Sequence, residues 1–241
     1  MIRTPVALIF AALLLFQDSQ PVPQAEFYFA RLKYPGIRDE TYIKNYYTDY
    51  PQADEHFVVL ANRLTGIEAA KALVHIDDNI FQYPFIYIVE PAQMNLTEVH
   101  IEKLREYTAR GGFILMDDIH GDDDMIPLTA IFERIFPEES FVELSTSHEL
   151  FHAFFDLDIL VQVVHDGIAM CKTCQQWENG PSGEHPRVLA HYGIGGIDTV
   201  VMVNNDLGDA AEWLDDPLYP REMSIFAVKA LLNTVVYAMS H

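Results

Sequence analysis

The stretch YPFIYIVEPAQMNLTEVHIEKLREYTARGGFILMDDIH, Tyr83 to His120, decides the fold. FIYIV (Phe85 to Val89) is apolar at every position and follows Pro84, and FILM (Phe113 to Met116) is apolar throughout. A strand with one wet face alternates polar and apolar residues; these runs do not, so each predicts a strand covered on both faces. Between them Thr97 stands where a helix N-cap is needed. Val99, Ile101, Leu104 and Tyr107 broadly fit one helical stripe, and Gly111-Gly112 closes it. Strand, amphipathic helix and strand together form the crossover unit that joins parallel strands.

The same reading extends outward. Phe27 to Leu32 (FYFARL) predicts a first strand ended by Tyr34-Pro35-Gly36, and Phe57 to Leu64 a helix stopped near Gly66. Ala69 to Ile76 fits the strand period and the helix period equally. A helix follows near Leu128 to Ile135, then a strand at Thr199 to Val203 (TVVMV) and a last helix from about Met223 to Met239. Buried strands separated by amphipathic helices predict a three-layer α/β sandwich with a mostly parallel central sheet, flavodoxin-like, in a single domain over residues 21–241.

The chain has 241 residues, half of them apolar, which is enough to bury a substantial core and excludes disorder. Asp and Glu total 36 against 15 Lys and Arg, a net charge of −21. Such a field repels phosphates and anionic headgroups, which argues against a nucleic-acid or membrane-surface partner and favours cations or basic partners. Arg3 followed by the apolar run Pro5 to Phe16 and the polar Gln17 to Gln20 reads as a signal peptide over residues 1–20. The expected location is therefore periplasmic or secreted, with the chain anchored if the segment stays uncleaved. The run is shorter than the roughly 20 residues a span needs, so no stable membrane span is expected after its removal.

In open parallel sheets ligands collect beyond the carboxyl ends of the strands. Here FIYIV ends in Glu90, FILM in Asp117, Asp118 and then His120, and TVVMV in Asn204, Asn205 and Asp206. Parallel strands would deliver Glu90, Asp117, Asp118, His120 and Asp206 to one rim, able to hold a divalent cation or a small polar, polyhydroxylated ligand. The competing reading is that Asp and Asn here cap helices and make turns. Asp122, Asp123 and Asp124 read as a solvated loop, because they lack the alternation, glycine and distal glutamate of a calcium loop.

The order of these motifs resembles the domain-of-unknown-function family 4159, itself similar to the class I glutamine amidotransferase-like and flavodoxin-like superfold. The resemblance is carried by FYFARLKYPG (Phe27 to Gly36), YPFIYIVE (Tyr83 to Glu90) and LREYTARGGFILMDD (Leu104 to Asp118). It continues through HELFHAFFDL (His148 to Leu157), NNDLGDAAEW (Asn204 to Trp213) and NTVVYAMSH (Asn233 to His241). It implies a fold more than a mechanism. Active amidotransferases of this type carry a cysteine on a tight strand-to-helix turn. No cysteine follows any apolar run here, and no G-x-S-x-G elbow replaces it, so glutamine hydrolysis is not expected.

His148-Glu149-Leu150-Phe151-His152 fits H-E-x-x-H, which on an α-helix would offer two histidines to zinc and a glutamate to its water. Leu150, Phe151, Phe154 and Phe155 fit one helical face. The extended motif fails at Phe155 and Asp158, where glycine and histidine are required, and no glutamate occurs between Glu149 and Glu178 to serve as a third ligand. Cys171 and Cys174, the only cysteines, read most simply as a local disulfide in an oxidising compartment. The alternatives are half of a zinc site with His165 or His185, or a redox pair. Trp177 and Trp213 read as packing anchors or carbohydrate platforms. Tyr42, Tyr46, Tyr47 and Tyr50 either pack or line a cleft at the rim, and Asn179 to Pro186 (NGPSGEHP) reads as a mobile loop.

The expectation is an exported ligand-binding or interaction domain with a small polar ligand or an envelope protein as partner. The alternative is a metal-dependent hydrolase using the acidic rim or the HELFH segment.

Overall fold

The computed structural model describes residues 25–37, 45–137 and 139–241. The expected leader and Tyr42 lie outside the described residues. In chain order the elements are β1 (Phe27–Lys33), α1 (Gln52–Thr65), β2 (Ala69–His75), β3 (Phe85–Val89), α2 (Glu98–Ala109), β4 (Phe113–Ile119) and α3 (Gly121–Ile135). Then follow β5 (Val142–Glu143), α4 (Asp166–Ala169), β6 (Arg187–Gly193), β7 (Gly196–Val203), α5 (Leu207–Glu212) and α6 (Arg221–Ser240).

Among the described residues seven strands form one sheet in the order β2-β1-β3-β4-β7-β6-β5. β2, β1, β3, β4 and β7 are mutually parallel, while β6 runs antiparallel to β7 and β5 antiparallel to β6. The protein is thus α/β with a mostly parallel, mixed sheet. Alternate residues of the apolar strands enter two separate cores. Phe29, Phe85, Tyr87 and Leu115 pack with Phe57 of α1, Ala210 of α5 and Phe226 of α6. On the opposite face Ala30, Ile86, Ile88 and Met116 pack with Leu104 of α2 and with Leu128 and Phe132 of α3. This two-sided burial is why FIYIV and FILM carry no polar alternation. Thr97 caps α2 as its position predicts, accepting from the His100 N–H at 3.4 Å, whereas Val99 stays exposed.

Several local expectations are corrected. The ambiguous Ala69 segment is the edge strand β2, held by full-length parallel pairing with β1. Asp122, Asp123 and Asp124 are not a loop: they form the first turn of α3, where negative side chains face the positive end of the helix dipole. The HELFH segment is not α-helical but a 3₁₀ turn over Glu149–His152. At three residues per turn, positions i and i+4 do not stack one above the other. β5 and β6 had no counterpart in the sequence reading, since β6 carries His191 and Tyr192 and ends in glycine rather than forming a clean apolar run. Among the described residues α6 is long and apolar enough to cross a membrane, and 67% of its most apolar window is buried in the core.

Candidate functional site

The end of β4 is where the sheet departs from regularity. Met116 and Ile119 are three positions apart, while their β7 partners Val201 and Val203 are two apart, so one extra residue is accommodated at Asp117-Asp118. Bulges re-aim side chains beside functional sites. Asp118 adopts a left-handed backbone (φ 59°), as do Asp49, Glu90, Asn179 and Asn204. Among the described residues these are the only non-glycine positions with positive φ; Asp118 lies at the bulge of β4 and the other four in the loops around this rim. Asp and Asn tolerate the conformation best, but each instance still costs about 1–3 kcal/mol, and such costs gather where surrounding structure imposes them.

The parallel ends of β3, β4 and β7 place Glu90, Asp117, Asp118, His120 and Asp206 on one rim. Ligand atoms of Asp118, His120 and Asp206 lie within 4.8 Å of one another. His120 is 2% exposed, and its Nε2 stands 3.3 Å from Asp118 Oδ1 and 3.6 Å from Glu178 Oε1. Neither approach has hydrogen-bond geometry, and among the described residues both ring nitrogens are without a hydrogen-bond partner. Asp206 caps α5, its Oδ1 accepting from the Asp209 N–H at 2.8 Å. Glu90 accepts from Thr48 Oγ1 at 2.9 Å and from the Asn45 side chain, so it ties the loop after β1 to the end of β3.

Asp117 is fully buried. Its Oδ2 accepts from Tyr87 OH at 2.8 Å and from the Gly208 N–H at 3.0 Å, while Oδ1 has no hydrogen-bond partner among the described residues. Burial raises its pKa to about 6, opposed by the Tyr87 hydrogen bond and reinforced by Asp118. Asp206 is held well above the usual carboxylate range by burial and then by Asp118 and Asp49. Glu90 is raised by burial and Asp118, and Asp124 by burial, with the His120 N–H it accepts opposing. Burial disfavours charge on His120, but Asp118, Glu178 and Asp124 outweigh it and raise its pKa. The rim thus gathers more carboxylates than positive groups, and the raised pKa values follow from that imbalance.

A second group lies where the chain reverses its direction of travel across the sheet, between β1 and β3. Arg31, unexposed in mid-strand, donates from Nε and Nη2 to both oxygens of Asp54 at 2.6–3.1 Å and from Nη1 to the Thr48 carbonyl at 2.8 Å. Its guanidinium lies 4.8 Å from the Tyr87 ring centroid. Beside it, ligand atoms of Asp49, Asp209 and Glu212 fall within 4.8 Å of one another. None of these residues stands out in the sequence as a site candidate. The available signals were Arg31, a charge inside the apolar run FYFARL, and Tyr87, a hydroxyl inside FIYIV.

Asn204 braces the rim. Its Oδ1 accepts from the Gly121 N–H at 2.8 Å, and its Nδ2 donates to the carbonyls of Ser182 at 3.0 Å and His185 at 2.7 Å. Asn179 Nδ2 donates to the His120 carbonyl at 2.9 Å. The NGPSGEHP segment is therefore tied against the rim by several hydrogen bonds, rather than left free as its composition suggests.

The other candidates lie elsewhere or serve other partners. His148 Nδ1 accepts from the Leu150 N–H, and its Nε2 lies 3.3 Å from Tyr192 OH. His152 engages Asp156 Oδ1 and the Thr146 carbonyl, both at 2.9 Å, and Glu149 lies 3.6 Å from His241. The 3₁₀ turn thus does not converge His148, Glu149 and His152 as the α-helical reading required. Cys171 and Cys174 are joined, with Cα atoms 5.4 Å apart, which leaves no thiolate for zinc. Trp213 packs half-buried against the α1/α5/α6 core, and the Trp177 indole N–H is buried without a hydrogen-bond partner among the described residues. The rings of Tyr46, Tyr47 and Tyr50 follow one another at 4.8 and 5.5 Å, with Arg31 5.7 Å from the last.

No curated protein and no solved structure matches the chain. The family model described as Domain of unknown function (DUF4159) matches residues 28–239, a span that includes β1 from its second residue, β2 to β7 in full and every rim residue described above. The chain belongs to the DUF4159 family.

Proposed function

We propose that this protein is an exported domain of flavodoxin-like, class I glutamine amidotransferase-like architecture that binds a small polar ligand through a divalent cation held by Asp118, His120 and Asp206. The observation that carries the reading is the convergence of three ligand atoms within 4.8 Å, from buried His120 and Asp206 and half-buried Asp118, with neither imidazole nitrogen hydrogen-bonded among the described residues. A mixed imidazole and carboxylate set suits manganese, zinc or iron(II) better than calcium. Glu90, beside the same mouth, is placed to accept from ligand hydroxyl groups. The strand order β2-β1-β3-β4-β7, with its reversal between β1 and β3, supports the architecture. At the end of β4, the place where an amidotransferase nucleophile is expected, stand Asp117 and Asp118. The disulfide and the amino-terminal sequence support export.

A hydrolase reading of the same rim has one observation in its favour. Among the described residues Asp117 Oδ1 has no hydrogen-bond partner, and burial raises the carboxyl to about 6, so Asp117 would serve as a base near neutral pH and a bound cation would supply Lewis acidity beside it.

Titration calorimetry of chelator-treated protein with manganese tests the binding reading. His120→Ala and Asp206→Asn should each weaken binding at this position at least tenfold, with the circular dichroism spectrum unchanged. Unaltered affinity in both variants rejects the site. Amino-terminal sequencing of protein recovered outside the cytoplasm should begin near Gln20 or Pro21, and recovery of the intact chain in the cytoplasm rejects export.

A further inference from the structure

Asp49 and Asp209 come from opposite sides of the switch between β1 and β3, one in the loop before α1 and the other in α5. Both are more than nine-tenths buried, and each has a carboxylate oxygen, Oδ2, enclosed and without a hydrogen-bond partner among the described residues. With half-buried Glu212 they bring three carboxylates within 4.8 Å of one another. The protein supplies little to neutralise them. Arg31 is near enough to influence Asp49 and Glu212, but its charge is matched by Asp54 and its donors are spent on Asp54 and the carbonyls of Tyr46 and Thr48. His56, the other nearby base, directs Nδ1 to the Ala211 carbonyl at 2.8 Å.

The backbone is shaped to keep this group together. A Cβ on Gly208 would stand 2.2 Å from Asp49 Oδ2 and 2.9 Å from Tyr87 OH, so only glycine lets the Asp49 carboxylate lie against α5. Burying three like charges this way is unfavourable without protons or a cation to share them. Metal–oxygen distances of about 2.3–2.6 Å allow opposite oxygens around one ion to be about 5 Å apart, as the observed spacing requires. Glu212 also lines a surface hollow with Gln52, Trp213, Asp215 and Asp216, an acidic approach that draws cations in.

We propose that Asp49, Asp209 and Glu212 form a second divalent-cation site, distinct from the one at His120 and of the hard, all-oxygen kind that takes calcium, magnesium or manganese. This site does not depend on the first. The two are neighbours, because the charge of Asp118 reaches Asp49, Asp206 and Asp209 alike. Two cations on one rim give a bound ligand two points of attachment.

Equilibrium dialysis of the full exported chain against manganese, with calcium as competitor, tests the proposal. Wild type should hold two manganese ions per chain and His120→Ala one, and calcium should displace the ion that remains in His120→Ala. Asp49→Asn and Asp209→Asn should each hold one manganese ion that calcium displaces poorly, with at least a tenfold loss of calcium affinity. Gly208→Ala should weaken calcium binding without removing any carboxylate. The proposal is overturned if wild type binds no calcium, or if the asparagine variants bind it as wild type does. It is also overturned if Asp49→Asn raises the melting temperature of a protein that binds no cation at this cluster, which would make the cluster a proton-sharing one. A result in which only the His120→Ala arm fails rejects the first site and leaves this one standing.

Discussion

Arg31 and Asp54 pair with both side chains wholly unexposed, Nη2 to Oδ1 at 2.6 Å and Nε to the second oxygen at 3.1 Å. The pair joins the middle of β1 to the first turn of α1 and, through the Thr48 carbonyl, holds the loop that carries Asp49 and Asn45. Removing one partner leaves a buried charge uncompensated, at a cost of about 3–5 kcal/mol. Arg31→Met and Asp54→Asn should therefore lower the urea midpoint strongly. The double variant should recover part of the loss, and equal, additive losses would show that the two charges do not act as a pair.

Stability of cation-free protein should fall as pH rises. Burial raises Asp117 to about 6 and, with Asp166 and Glu212, raises Asp209 to about 8, against an ordinary carboxylate value of about 3.9. Between about pH 4 and pH 8 the folded chain thus binds more protons at these groups than the unfolded chain, and the slope of stability with pH is negative there. Cations bind the deprotonated groups of the folded state, so manganese should raise the melting temperature more at the upper end of this window. Melting curves across it, with and without manganese, check both signs.

Asp118→Asn should separate stability from binding. Asp118 adds repulsion to Glu90, Asp49, Asp117, Asp206 and Asp209, and asparagine tolerates its left-handed backbone as well as aspartate does. The cation-free variant should be more stable by about 0.5–2 kcal/mol and bind manganese at least tenfold more weakly. A variant that loses stability contradicts the repulsion described above.

Gly121 has φ 63°, and a Cβ there would meet the Asn179 carbonyl oxygen at 2.8 Å and Ser182 Oγ at 2.9 Å. Gly121→Ala should cost about 1–3 kcal/mol and push the NGPSGEHP segment away from His120. Gly195, with nothing within 4 Å of an added Cβ, provides the control, and Gly195→Ala should be nearly neutral by the same denaturation measurement.

The Cys171–Cys174 bridge closes a very short loop, and entropy lost from so small a loop stabilises by about 2 kcal/mol at most. Reduction should shift the melting temperature modestly and leave manganese affinity unchanged. A large loss of affinity would tie the bridge to the rim.

The apolar runs FIYIV and FILM determined β3, β4 and the layered arrangement by themselves, because only a strand covered on both faces lacks polar alternation. Thr97 and Gly66 marked helix ends because capping is a local demand of the backbone. The carboxyl-end residues Glu90, Asp118, His120 and Asp206 were readable for the same reason, since parallel strands leave little choice of where their ends meet. Asp49, Asp209 and Glu212 were not. They lie in a loop and a short helix whose approach depends on Gly208 admitting a carboxylate and on Arg31 gripping Asp54 across 23 residues. HELFH shows the converse, a motif whose letters fit while its backbone forms a 3₁₀ turn anchored by His148 and by the tie of His152 to Thr146. Local sequence carries period and capping, but which charges become neighbours is decided only when packing between distant segments sets their distances.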